Sequence, residues 1–253
     1  MRKNIAAGNW KMNLDLEAGK KLASEVVNMV NDEVSNDAEI ILIPPFIHLT
    51  AVNQLIGSAS NIQLGAQNCH QEKGGAYTGE ISLEMLKSVG AEYVVIGHSE
   101  RREYFGEDNA LLAAKTKAVL DNGLKPIYCC GEKLDVREAD KHFELNKEQI
   151  VEGLFDLSKD EILNVVIAYE PVWAIGTGVT ASNEQAQEMH AFIRGLIADK
   201  YDQETADSIS ILYGGSVKPG NAKELFEQPD VDGGLVGGAS LKSRDFTDII
   251  KSF

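Results

Sequence analysis

The chain has 253 residues, with 24 Lys and Arg against 39 Asp and Glu, which sets a formal net charge of −15. That balance excludes an overall basic surface of the kind that holds a nucleic-acid backbone or an anionic membrane face. At 43% hydrophobic and 25% charged the composition is globular, and a chain of this length buries about 70–75% of its unfolded surface without disulfide staples.

Three cysteines, Cys69, Cys129 and Cys130, make an odd count, and none stand in C-x-x-C spacing. The expectation is free thiols in a reducing compartment. Met1–Trp10 holds two basic residues but no apolar stretch behind them, so no signal peptide is expected. The apolar run Ile40–Ile43 stops at Pro44-Pro45, too short to span a bilayer. A cytoplasmic protein with neither a membrane nor a nucleic-acid partner is the reading.

In chain order, strand-like runs fall at Lys3–Gly8, Glu39–Ile43, Ile62–Ala66, Tyr93–Ile96, Pro126–Cys130, Val165–Tyr169, Ser210–Tyr213 and Gly234–Val236. They are short and apolar, most are rich in Val and Ile, and Gly, Asn or Pro bounds them, as in strands buried on both faces. The last, only Gly-Leu-Val, is the weakest of the eight. Helical periodicity occupies Leu16–Val30, Asn109–Asp121, Glu138–Phe155, Ser182–Lys200 and Leu241–Phe253. Ser182 and Gln185 have capping-box spacing, and Asn122-Gly123 and Val89-Gly90 read as helix stops. Alternating β and α elements imply an α/β fold with a parallel sheet, either closed or doubly wound. Eight units of roughly 32 residues favour one closed (β/α)8 barrel over 1–253.

Both architectures place function at the strand C-terminal ends. There the chain reads Ala7-Gly8-Asn9-Trp10-Lys11, Ile96-Gly97-His98-Ser99-Glu100-Arg101-Arg102, Ala168-Tyr169-Glu170-Pro171, Tyr213-Gly214-Gly215-Ser216 and Gly237-Gly238-Ala239-Ser240. Alternation puts Asn9 and Lys11 on one face and Trp10 on the other. Singly, each signal is weak: Glu170 could be a salt-bridged carboxylate, Lys11 a surface ammonium, and the double glycines plain turns. His48, His142 and His190 fit helical positions that need no further role, and His70 beside Cys69 lacks further ligands for zinc. Together, a carboxylate, an imidazole and an ammonium converge on one rim. Beside them, two double-glycine loops let backbone N–H groups approach a phosphate. The long connection Pro171–Ala181, partly apolar with Gly176 and Gly178 near its tip, reads either as a packed surface loop or as a lid.

Five of these segments, from Ala7–Asn13 through Ile96–Arg102, Ala168–Gly178, Leu212–Ser216 and Leu235–Ala239, resemble the triosephosphate isomerase family in order and spacing. The resemblance implies a (β/α)8 barrel that interconverts glyceraldehyde 3-phosphate and dihydroxyacetone phosphate without a cofactor or metal, a step of glycolysis and gluconeogenesis. It makes Glu170 the base that moves the proton and His98 the group that polarises the carbonyl oxygens, with Asn9 and Lys11 assisting. Gly176, Ser216, Gly237 and Gly238 would hold the phosphate, Glu100 would pair with Lys11, and Tyr213 would bond the closed lid near Ala181. The loop Gln67–Glu80 becomes a homodimer arm with Thr78 reaching the neighbour's Asn9 and Lys11; without the family it reads as a mobile surface loop. Cys69–Lys73 and Val179 stand where relatives vary. Cys129 is expected to face the barrel core, packed as a small apolar group. A Schiff-base aldolase on the same barrel would need a desolvated lysine, and strand six ends in Glu170 instead. A binding protein without catalysis would need neither Glu170 nor His98.

Overall fold

The structure is a computed structural model describing residues 2–57, 59, 61–176 and 180–253. Its strands are β1 (Ile5–Asn9), β2 (Glu39–Ile43), β3 (Ile62–Ala66), β4 (Tyr93–Ile96), β5 (Lys125–Glu132), β6 (Val166–Pro171), β7 (Ile211–Tyr213) and β8 (Gly233–Val236). Each pairs in parallel with its sequence neighbour, and β8 returns to β1 with Ile5 opposite Gly233, so the sheet closes into a barrel in the order of the chain. The doubly wound alternative is thereby removed. All eight expected runs are strands, including the glycine-rich last one.

Two packed layers follow from the period-two alternation of buried strands. One set, including Ile5, Ala7, Ile41, Val95, Ile127, Cys129, Ala168 and Leu212, points into the barrel and fills it. The other set, including Ala6, Ile40, Leu42, Val94, Tyr128, Ile167 and Tyr213, points out against the helices. Cys129 faces inward and Cys130 outward, as the alternation requires. Burial pushes both thiols well above their ordinary range, so they stand as neutral thiols at pH 7.

The helices in chain order are α1 (Leu16–Glu33), α2 (Leu49–Ile56), α3 (Leu83–Ser88), α4 (Ser99–Phe105), α5 (Asn109–Asp121), α6 (Leu134–Glu138), α7 (His142–Leu154), α8 (Lys159–Ile162), α9 (Asn183–Lys200), α10 (Gln203–Ala206), α11 (Ala222–Phe226) and α12 (Ser243–Ile250). On α1, Leu22, Ala23, Val26, Val27 and Val30 form the buried stripe, each large side chain contributing roughly 1.5–3 kcal/mol on transfer from water. The Ser182–Gln185 capping box opens α9. Asn122 caps α5, and Gly90 and Gly123 take the left-handed conformation at their helix stops. Two helical expectations are corrected. The stretch Glu138–Phe155 is not continuous, because Asp140 sits at φ +56° and separates α6 from α7. Likewise Leu241–Phe253 divides into a 3₁₀ turn, Gly238–Leu241, and then α12.

His190, on α9, is fully buried between Tyr169 and Tyr213, with Nδ1–H donating to the Ala186 carbonyl at 2.6 Å. Burial pulls it down to about 4 from 6.5. The native ring therefore stays neutral between those values while the unfolded ring takes a proton. Stability falls as pH drops from 6.5 toward 4, by up to about 3 kcal/mol from this one residue. Urea midpoints at pH 7.5 and pH 5 are expected to separate less in a His190→Gln variant than in the parent. Equal separation would assign the acid sensitivity elsewhere.

Candidate active site

The polar site follows the barrel's inward-facing residues at the strand C-terminal ends. Ile5 and Ala7 are followed by Asn9 and then Lys11, while Val166 and Ala168 are followed by Glu170. Trp10, on the opposite face, is fully buried beside His48. Lys11 adopts φ +53°, a conformation that costs a non-glycine residue about 1–3 kcal/mol. Its N–H donates to Asn9 Oδ1 at 3.0 Å, and its carbonyl accepts from Gln67 Nε2 at 2.8 Å. The Lys11 ammonium meets Glu100 Oε1 at 2.5 Å.

His98 caps α4. Its Nδ1 accepts the backbone N–H of Glu100 at 3.3 Å, so the proton resides on Nε2, which points at Glu170 Oε1 3.0 Å away. Glu170 is 1% exposed. Its other oxygen accepts the Ser99 N–H at 2.8 Å, and the Ser99 hydroxyl reaches Oε1 at 3.2 Å. Three donors thus hold the carboxylate against the start of α4.

Beside this cluster lies a cavity of about 420 Å³ whose wall includes Asn9, Lys11, His98, Gly176, Ser216, Gly237 and Gly238. These expected residues are brought together, with Lys218, Lys242 and Asp245 joining them. Glu170 is not in that wall; it lines a second cavity, of about 260 Å³, with Ser99 and Gly131. The Ser216 hydroxyl donates to the Ala174 carbonyl at 2.8 Å, joining the β7 loop to the connection after β6. In that connection Val172–Ala174 forms a 3₁₀ turn and Gly176 takes φ +69°. Thr177, Gly178 and Val179, and with them part of the expected lid, lie outside the described residues. Tyr213, at the end of β7, is buried, and burial pushes its phenol up to about 12. Thr78 is exposed on the loop Gln67–Glu80 and is not part of the cavity wall that holds Asn9 and Lys11.

Sequence reasoning missed several members of this assembly. Ser99 was inside a quoted segment, yet nothing marked it as the carboxylate's anchor. Buried Glu132 accepts from Tyr169, Trp173 and Asn146, bracing the strand end that carries Glu170. Among the described residues, His, Cys, Asp and Glu form no group of three that could hold a metal ion, and no helix is long and apolar enough to cross a membrane.

The family model for triosephosphate isomerase matches residues 4–253. The chain belongs to the triosephosphate isomerase family. Relatives named triosephosphate isomerase include one from Cytophaga hutchinsonii, 60% identical over all 253 residues and the whole of both chains. Another, from Bacteroides fragilis, is 55% identical over the same full span. A third, from Amoebophilus asiaticus, is 45% identical over 252 residues and again covers both chains completely. Membership in the triosephosphate isomerase family accounts for the order of the five strand-end segments and for the closed barrel that carries them.

Proposed function

We propose that the chain interconverts glyceraldehyde 3-phosphate and dihydroxyacetone phosphate. The observation that carries this reading is the Glu170–His98 pair, 3.0 Å apart, with His98 in the wall of a cavity lined by glycine loops and three lysines. Glu170 removes the proton from the carbon next to the aldehyde, and the bonding pair moves into the new C=C bond. The aldehyde oxygen gains the charge and accepts from the His98 Nε2 proton, with the Lys11 ammonium and Asn9 amide nearby. His98 Nε2 gives its proton to the first oxygen and takes up the hydroxyl proton of the second, Glu170 returns a proton to the former aldehyde carbon, and the second oxygen becomes the ketone. Electrons stay within the substrate, so the reaction needs neither oxidant nor reductant, and no cofactor has a part in it.

The described contacts are a resting arrangement. One Nε2 proton cannot serve Glu170 and the substrate oxygen together, so substrate displaces the carboxylate from His98 and Ser99. Backbone N–H groups of Gly176, Ser216, Gly237 and Gly238 hold the phosphate. Closure of the connection after β6, with Tyr213 bonding near Ala181, keeps water from the enediolate. Glu100 holds the Lys11 ammonium in place between turnovers.

A homodimer and a cytoplasmic location belong to the same reading. Met12 after β1, Ile47 in the 3₁₀ turn after β2 and Phe105 at the end of α4 are 94%, 71% and 67% exposed, and a second copy would cover them and receive Thr78. Three buried, unpaired thiols suit a reducing compartment. Sedimentation velocity is expected to give twice the 27.5 kDa chain mass; a single-chain mass at micromolar concentration would remove the dimer. For the reaction, a coupled assay should show fast formation of dihydroxyacetone phosphate that disappears in a Glu170→Gln variant. No turnover in the parent would overturn the reading.

A further inference from the structure

The cavity wall carries three lysines in unequal circumstances. Lys11 is committed to Glu100 at 2.5 Å. Lys242 has Asp245 at 3.6 Å, and Asp245 itself lines the cavity. Lys218 also lines the cavity, and among the described residues it has no ion pair. Its backbone is fixed: the Lys218 N–H donates to Asn221 Oδ1 at 2.7 Å, and Asn221 Nδ2 donates to the Ser216 carbonyl at 3.1 Å. This braced turn fixes the backbone of Lys218, two residues after Ser216 in the cavity wall.

The chain as a whole carries −15, so a doubly charged anion approaches against the field of the molecule. Backbone N–H groups supply partial charges, and a full positive charge beside them adds to their attraction for a dianion. We propose that Lys218, opposed by Asp245, is a specificity-determining residue that sets the cavity's affinity for a dianionic phosphate. It is not a catalytic residue. Lys218 and Asp245 carry opposite charges in the wall of the same cavity, and Asp245 additionally pairs with Lys242. This assignment rests on the proposed phosphorylated triose as substrate.

Opposed charges make opposed variants. At about 20 mM ionic strength, Lys218→Gln is expected to raise both KM for glyceraldehyde 3-phosphate and the inhibition constant of inorganic phosphate about three- to fivefold, with kcat within about twofold of the parent. Asp245→Asn is expected to lower both constants about twofold. Raising the ionic strength to about 0.5 M should compress both effects below about twofold. Lys218→Arg should restore the parent values at either salt. The result that would overturn the inference is any one of these: constants unchanged by Lys218→Gln at low salt, a loss confined to kcat, or a shift in the same direction for both variants. Binding of inorganic phosphate is also measured by calorimetry on the parent and both variants. That readout does not depend on turnover, so failure of the isomerase reading remains distinguishable from failure of this one.

Discussion

A Glu170→Asp variant is expected to lose about 100- to 1000-fold in kcat while binding inorganic phosphate within about twofold of the parent. The shorter side chain withdraws the carboxylate by one methylene from the position where it meets a substrate carbon. It also draws away from His98 Nε2 and from the Ser99 N–H, the partners that now hold it at 3.0 and 2.8 Å. Phosphate binding is spared because Glu170 is absent from the wall that holds Gly176, Ser216, Gly237 and Gly238. Steady-state kinetics with calorimetric phosphate titration separate the two quantities. Retained kcat would remove Glu170 from the chemistry, and lost phosphate binding would mean that the change disturbs the whole barrel mouth.

The second large effect is structural and reaches the same carboxylate through the backbone. Gly131 on β5 lies opposite Glu170 on β6. A Cβ at Gly131 would stand 1.8 Å from the Glu170 carbonyl oxygen and 2.7 Å from its carbon, both main-chain atoms. Gln149 clamps Gly131 from the other side, accepting its N–H at 2.8 Å and donating to its carbonyl at 3.1 Å. Neither strand can yield without breaking the β5–β6 register. Gly131→Ala is therefore expected to cost about 3–5 kcal/mol, at the upper end of single-residue effects, and to lower turnover with it. Gly195, in the interior of α9, meets nothing within 4 Å, and Gly195→Ala should stabilise by about 0.5–1 kcal/mol with turnover unchanged. Urea denaturation of the two variants reads the contrast directly. A Gly131→Ala protein as stable as the parent would show that β5 and β6 are less closely packed than described.

The barrel was legible because its strands are buried on both faces and punctuated by Gly, Asn and Pro, so Ile40–Ile43 and Tyr93–Ile96 announce themselves. Even Gly233–Val236, poor in apolar residues, is placed once seven others demand an eighth. The break at Asp140 was not legible: Glu138–Phe155 keeps a helical period across it, and only the positive φ reveals the corner. At the site, Asn9 and Glu170 stand at the ends of β1 and β6 where strand-end residues are expected, and Lys11 follows two residues beyond β1 at φ +53°. Ser99, Glu132 and Gly131 could not be read from the sequence, since they act through contacts separated by 71, 37 and 39 positions or through a backbone approach that no residue type advertises. Lys218 was passed over because a lone lysine in a turn looks like any solvated charge until the cavity beside it is seen.

The most direct measurement is the fate of the transferred hydrogen. Glyceraldehyde 3-phosphate is incubated with the purified protein in D2O without added cofactor, and product and residual substrate are followed by proton NMR. Transfer through the Glu170 carboxylate, which exchanges its proton with solvent, should place deuterium on carbon 1 of a share of the dihydroxyacetone phosphate, and the label should be absent with Glu170→Gln. Conversion with complete retention of the original hydrogen would indicate a hydride shift, and it would contradict the assignment of Glu170 as a proton carrier.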